Sequence, residues 1–107
     1  MREMKMRTKR ESMRVAVNGY GVIGKRVADA IVAQEDMELT GIADIETGWR
    51  MKTAQSKGFK IFSASPDRAD AMRKSGLDLS GTLEELIADS DVVVDCTPKG
   101  VAARNVE

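Results

Sequence analysis

Short apolar segments alternate with segments of helical periodicity along most of this 107-residue chain, and this order is what most constrains its fold. The first apolar run, at residues 15–17, ends at an Asn-Gly dipeptide, and from Ile23 to Ile31 apolar residues recur at helical spacing. Because strands that are joined by helices run parallel with right-handed crossovers, the alternation predicts an α/β fold with a parallel sheet.

The same patterns predict the remaining elements in order. Further strands are predicted at residues 37–43, 59–63 and 91–96, and further helices at residues 47–57, 66–74 and 82–88. A last helical pattern starts near Val101. The sequence therefore predicts a Rossmann-type doubly wound parallel sheet that is incomplete, with its first four strands in this chain.

Composition narrows the class of protein. The 17 basic and 17 acidic side chains cancel, which gives no support to a nucleic-acid or membrane role for the whole chain. No apolar stretch approaches the roughly 20 residues of a membrane span. There is no histidine and one cysteine, so His-based acid–base chemistry and an internal disulfide are excluded within these residues, and a cytoplasmic location is expected.

The amino terminus differs in charge from the rest of the chain. Residues 1–12 contain five basic and two acidic side chains, a net charge of +3, whereas residues 13–107 have a net charge of −3. We expect a basic flexible tail at residues 1–12. A short basic arm for an acidic partner is the alternative interpretation.

Three glycines form a G-x-G-x-x-G pattern between the first strand and the first helix. Gly19 would allow the tight turn, Gly21 would let the backbone approach a pyrophosphate, and Gly24 would let the helix pack on the strand. The backbone N–H groups of Val22 and Ile23 would face the phosphates at the positive end of the helix. A β-hairpin at the Asn-Gly dipeptide is the alternative, but the residues that follow have a helical period.

Asp44 ends the second predicted strand, 20 residues after Gly24, where a ribose-binding acid is expected. A carboxylate there accepts hydrogen bonds from the adenosine ribose and repels a 2′-phosphate, so we expect NAD to be preferred over NADP. The alternative is an ordinary loop aspartate or a helix cap. Glu46 competes for the ribose role, and Arg50 offsets the repulsion if it reaches the same pocket.

The loop after the fourth predicted strand supplies two further candidates. Ligands of doubly wound sheets bind at the carboxyl ends of the strands near the switch point, here between the first and fourth predicted strands. We therefore expect Thr97 and Pro98 to line the cofactor cleft, with a plain strand-to-helix turn as the alternative. Cys96 is interpreted as a structural thiol, because no histidine is present to activate it. No catalytic residue and no metal site are expected.

Three segments carry a resemblance to a known family: VAVNGYGVIGKRVADAI at 15–31, KGFKIF at 57–62 and SGTLEELIADSDVVVDCTPKG at 80–100. They resemble the archaeal-type (type II) glyceraldehyde-3-phosphate dehydrogenases, and the resemblance covers essentially residues 13–107. It implies an NAD(P)-binding domain followed by a catalytic domain, in a homotetrameric cytoplasmic enzyme of glycolysis. The cofactor loop of the family matches residues 19–24, whereas Asp44 replaces a residue that is basic or neutral in many members.

The resemblance implies the NAD(P)-binding part of an enzyme that converts glyceraldehyde 3-phosphate to 1,3-bisphosphoglycerate by oxidative phosphorylation. The family's Ser-Cys-Asn-Thr-type motif and its catalytic histidine do not occur here. Residues 13–107 are therefore expected to be the amino-terminal part of a dinucleotide-binding domain, inactive alone, with the aldehyde bound by an absent catalytic domain. Two alternatives stay open: the nucleotide-binding half of a homoserine or dihydrodipicolinate type of dehydrogenase, and a stand-alone NAD-sensing module.

Overall fold

A computed structural model describes residues 12–97 of the chain. Within this range five strands alternate with four helices. The strands are β1 (Met13–Asn18), β2 (Met37–Asp44), β3 (Ile61–Ser63), β4 (Leu79–Thr82) and β5 (Val92–Asp95). The helices are α1 (Val22–Val32), α2 (Trp49–Ser56), α3 (Pro66–Lys74) and α4 (Leu83–Ala88). The predicted tail, apart from Ser12, and the predicted helix from Val101 lie outside the described residues.

The five strands form one parallel sheet in the order β4-β3-β2-β1-β5. The strands β2, β3 and β4 follow one another on one side of β1, and β5 lies on its other side. The strand order therefore reverses between β1 and β5. This is the Rossmann-type α/β fold, and the predicted class is confirmed. The switch point lies between β1 and β5, where the sequence predicted it, since β5 is the fourth predicted strand.

The prediction of four strands is wrong, because β4 was missed. Its four residues, Leu79–Thr82, contain one apolar side chain and a glycine, and they run directly into the start of α4. A strand this short shows no clear period-two pattern. It forms at the edge of the sheet, where it pairs with β3.

Both faces of the sheet are covered. On one face lies the larger core cluster, in which Val15, Val17 and Ile42 pack against residues of α1, α2 and α3, such as Ile31 and Met72. On the other face a smaller cluster packs around Leu86 of α4; its buried members are Ala16, Ala43, Phe62 and Leu86. Two apolar layers around a parallel sheet explain the run of three buried apolar residues, 15–17, in the central strand β1.

The pairing of β1 with β2 is irregular at one position. Val15 is level with Leu39 and Ala16 is level with Gly41, so Thr40 is an additional residue in β2. After this bulge the pairing is regular up to Asn18, which lies opposite Ala43. The carboxyl ends of the two strands are thereby level with each other.

Candidate dinucleotide site

The carboxyl ends of β1, β2 and β5 meet at one edge of the sheet. Asn18 at the end of β1 is level with Ala43 of β2 on one side and with Asp95 of β5 on the other. The Gly19 amide donates a hydrogen bond to the Ala43 carbonyl oxygen at 2.7 Å, and the Cys96 amide donates to the Asn18 carbonyl oxygen at 2.8 Å. The segments that follow these three strands therefore lie together, as the switch-point argument predicts.

Two glycines of the loop are required by the packing of the chain itself. Gly19 has φ +101°, a left-handed conformation that favours glycine, and a Cβ there would lie 3.0 Å from backbone atoms of Cys96 and Thr97. A Cβ on Gly24 would lie 1.9 Å from the carbonyl oxygen of Gly19. The first glycine thus allows the turn, and the third allows α1 to approach the end of β1.

Gly21 is different, because the folded chain leaves open space beside it. It is the N-cap of α1 with an extended backbone, and a Cβ placed there would meet no atom within 4 Å. It has no side chain to cap the helix, so the amide groups of the first turn remain available to an anion. The side chains of Val22 and Ile23 in this turn are exposed. A glycine that packing does not explain, at a helix N-terminus without a side-chain cap, fits a bound diphosphate.

The side chain of Tyr20 packs the glycine loop onto the core. It is 1% exposed and packs in the larger core cluster with Ala28 and Ile31 of α1. Burial raises the pKa of its phenol, against a smaller opposing effect of Lys57, so the ring stays neutral in the core. The buried ring of Tyr20 therefore fixes the loop on one side, while the space beside Gly21 is open.

The carboxylate of Asp44 lies against the glycine loop. Its Oδ2 accepts a hydrogen bond from the Tyr20 amide at 2.6 Å, and its Oδ1 accepts from the amides of Ile45 at 2.7 Å and Glu46 at 3.2 Å. A carboxylate has about four acceptor positions, so at least one remains for a ribose hydroxyl. The sequence placed Asp44 at this edge but missed its bond to Tyr20, for which the sequence gives no local signal.

The alternatives for Asp44 have clear outcomes in the geometry. Glu46 is exposed, and its side chain makes no hydrogen bond or ion pair within residues 12–97. The Arg50 guanidinium lies 5.5 Å from the centroid of the Trp49 ring, a cation–π arrangement, and it forms no ion pair with Asp44 in the described part of the chain. Of the three charged residues considered, Asp44 is the one whose side chain bonds the glycine loop in the described structure.

Thr97 lies beside the glycine loop at the end of the described residues. Its backbone nitrogen would be 3.0 Å from a Cβ on Gly19. Its hydroxyl donates to Asp95 Oδ1 at 2.6 Å, and its amide donates to the same oxygen at 3.1 Å. The loop after β5 therefore turns back on Asp95. Pro98, the other residue predicted in this loop, lies outside the described residues.

Cys96 is half-buried between β5 and this loop, packed against the larger core cluster. Burial raises the pKa of its thiol, and the neighbouring Asp95 carboxylate adds to the rise. Both effects keep the thiol protonated near neutral pH, where a nucleophilic cysteine would be a thiolate. This environment agrees with the interpretation of Cys96 as a structural thiol.

We expect Cys96 to react slowly with iodoacetamide. The pH midpoint of its alkylation rate should lie above that of the same chain unfolded in urea, because the folded chain disfavours the thiolate. Asp95→Asn should move the midpoint toward the unfolded value by removing the negative charge. A midpoint in the folded chain at or below the unfolded one would contradict the assignment.

A depression of about 560 Å³ lies at the opposite edge of the sheet. It is formed by the amino-terminal ends of β1 and β2, the end of α1 and the turn before β3, and its walls include Arg14, Met37, Thr40 and Phe59. Ligands of parallel α/β sheets bind at the carboxyl ends of the strands. The depression is therefore not part of the candidate site.

Two further features are absent from residues 12–97. No three Cys, Asp or Glu side chains lie close enough together to hold a metal ion. None of the described helices is both long and apolar enough to cross a membrane.

The fold and the arrangement at its switch point define a dinucleotide-binding α/β domain. The family model described as "Dihydrodipicolinate reductase, N-terminus" matches residues 13–107. The chain belongs to this family.

Curated relatives carry another name. The chain is 52% identical over 93 residues to a glyceraldehyde-3-phosphate dehydrogenase of Methanococcoides burtonii and 50% identical over 93 residues to one of Halobacterium salinarum. It is 45% identical over 94 residues to one of Methanobrevibacter smithii. Each match covers 87% of this chain and 28% of the relative, so the chain spans less than a third of the length of these proteins. The predicted resemblance to the NAD(P)-binding part of the archaeal dehydrogenases is confirmed. The family model describes the dinucleotide-binding domain, and because the relatives at 45–52% identity are named glyceraldehyde-3-phosphate dehydrogenase, the homoserine and dihydrodipicolinate types are not favoured.

Proposed function

We propose that residues 19–24 and Asp44, together with Thr97 and Pro98, bind the adenosine diphosphate portion of NAD in a glyceraldehyde-3-phosphate dehydrogenase. The observation that carries the proposal is the open space beside Gly21, the N-cap of α1, next to Tyr20, whose amide donates to the Asp44 carboxylate. In this proposal the amides of Val22 and Ile23 hold the diphosphate. The remaining acceptor position of Asp44 holds a ribose hydroxyl.

The whole enzyme would oxidise and phosphorylate glyceraldehyde 3-phosphate to 1,3-bisphosphoglycerate. The nicotinamide ring of the bound cofactor would accept the hydride. The chain has no histidine, and its one cysteine is the half-buried Cys96, so the acid–base group and the nucleophile would come from a catalytic domain. Residues 13–107 would bind cofactor without catalysing the reaction. We propose a cytoplasmic homotetramer as the complete assembly, as the family resemblance implies.

The absence of activity is directly testable. The 107-residue chain, assayed with glyceraldehyde 3-phosphate, phosphate and NAD, should bind NAD by calorimetry but produce no NADH. Turnover by this polypeptide alone, at a rate that follows its concentration, would contradict the division of labour.

Preference for NAD over NADP is proposed to depend on Asp44. Its carboxylate would accept a hydrogen bond from the 2′-hydroxyl of NAD and repel the 2′-phosphate of NADP. Asp44→Ala should therefore lower the NAD-to-NADP affinity ratio at least about tenfold, or about 1.4 kcal/mol. Calorimetric titration of both cofactors against the wild-type and variant chains measures this ratio.

Glu46→Ala is the matched control, because it removes another carboxylate from the same loop. Glu46 is exposed, and only its backbone amide contacts Asp44 in the described structure. The ratio in this variant should stay within about twofold of wild type, since an exposed charge is screened by water and salt. If the ratio changes in Glu46→Ala and not in Asp44→Ala, the assignment of the ribose acid is wrong.

A further inference from the structure

The end of β2 holds two consecutive amides of the glycine loop. The Gly19 amide donates to the carbonyl oxygen of Ala43, and the Tyr20 amide donates to the side chain of Asp44 at 2.6 Å. The second bond is the shorter of the two. Its acceptor is a carboxylate, and its donor and acceptor residues lie 24 positions apart in the sequence. The position of the loop therefore depends on the side chain that is proposed to contact the ribose.

We propose that Asp44 is also a positioning residue for the phosphate-binding loop, a role that rests on the proposed function. Gly19 turns the chain with a positive φ, and α1 begins three residues later at Val22. Between them, Asp44 fixes the direction of the Tyr20 peptide group. The orientation of that group determines where the Gly21 N-cap and the first amides of α1 lie.

An asparagine cannot reproduce this arrangement. The Asp44 carboxylate accepts amide hydrogens on both oxygens, from Tyr20 on one and from Ile45 and Glu46 on the other. The side chain of asparagine has one acceptor oxygen and one donor nitrogen, so one set of amides would face a donor. Asp44→Asn therefore changes the hydrogen bonding of the loop while keeping the size of the side chain.

Inorganic pyrophosphate separates positioning from ribose binding, because it has no ribose. If the role of Asp44 is limited to ribose binding, Asp44→Asn removes a negative charge near the loop and should leave pyrophosphate binding unchanged or tighter. If Asp44 positions the loop, the same substitution should weaken pyrophosphate binding. The first role thus predicts an unchanged or lower Kd for pyrophosphate, and the second predicts a higher one.

The experiment follows the backbone amides of Gly21, Val22 and Ile23 by NMR while pyrophosphate is added to the wild-type chain, Asp44→Asn and Glu46→Gln. We expect the pyrophosphate Kd to rise at least about fivefold in Asp44→Asn and to stay equal or fall slightly in Glu46→Gln, which makes the same charge change in the same loop. An unchanged or lower Kd in Asp44→Asn would overturn the positioning role.

Amide hydrogen exchange gives a second measurement that does not depend on the ligand. The Tyr20 amide should be protected in the wild-type chain and should exchange at least about tenfold faster in Asp44→Asn, relative to the Ile42 amide, which donates to Lys60 within the sheet. Unprotected exchange of the Tyr20 amide in the folded wild-type chain overturns the proposal even if the variant does not fold. If the wild-type chain fails to bind NAD, the proposed function is overturned; if it binds NAD but Asp44→Asn keeps its pyrophosphate affinity, only the positioning role is.

Discussion

Gly24→Ala is expected to destabilise the chain by about 3 kcal/mol or more, because a methyl group at this position overlaps the backbone. The new Cβ would lie 1.9 Å from the carbonyl oxygen of Gly19 and 2.9 Å from its carbonyl carbon. Gly19 cannot move aside easily. Its amide donates a hydrogen bond to Ala43, and backbone atoms of Cys96 and Thr97 lie close to its Cα. For a domain of ordinary stability, about 5–15 kcal/mol, this is a large share.

Urea unfolding followed by circular dichroism measures the loss. Gly48→Ala is the matched control, because Gly48 is the N-cap of α2 and an added Cβ there meets no atom within 4 Å. The control should lose less than about 1 kcal/mol, the usual difference between glycine and alanine at an N-cap. If Gly24→Ala is no less stable than the control, the close approach of α1 to β1 is not required for folding.

Gly21→Ala should show the opposite pattern, with stability nearly retained and cofactor binding lost. The added Cβ meets no protein atom within 4 Å, and the backbone at Gly21 has φ −81°, which any residue adopts. It would occupy the space proposed for the diphosphate, over the amides of Val22 and Ile23. We expect the NAD affinity to fall at least about 100-fold, or about 2.7 kcal/mol, while the free energy of unfolding changes by less than about 1 kcal/mol.

Calorimetric titration with NAD, paired with urea unfolding of the same samples, tests this prediction. Gly48→Ala again provides the control, since it makes the same glycine-to-alanine change at a helix N-cap outside the candidate site. It should bind NAD as the wild-type chain does. Wild-type affinity for NAD in Gly21→Ala would mean that the diphosphate does not lie over this residue.

Much of the fold was predictable because its signals are local. The valines of β5, the glycine loop before α1 and the capping pair of Thr82 and Glu85 at α4 each mark an element without information from elsewhere in the chain. β4 was not predictable in this way, because a strand with one apolar residue is defined by its neighbour β3 rather than by its own pattern. The count of strands was therefore wrong although the class of fold was right.

The candidate site likewise has features with a local sequence signal and features without one. The spacing from Gly24 to Asp44 placed the acid at the correct edge of the sheet, because parallel strands bring their carboxyl ends together. The bond from the Tyr20 amide to Asp44 depends on the relative height of β1 and β2 to within one residue, which no local pattern records. The sequence likewise does not determine the partner of Arg50, whose guanidinium lies over the Trp49 ring in the folded chain and forms no ion pair with Asp44 within the described residues.

The additional residue Thr40 divides β2 into two halves with separate pairing. Before it, Leu39 packs toward the larger cluster; after it, Ala43 faces the smaller one, although an unbroken pleat would turn both the same way. Variation in the length of the first half can be absorbed at this point without shifting Ile42, Ala43 or Asp44 against β1. We therefore expect insertions and deletions in β2 to be better tolerated before Gly41 than after it, where they would move the Asp44 carboxylate away from the Tyr20 amide.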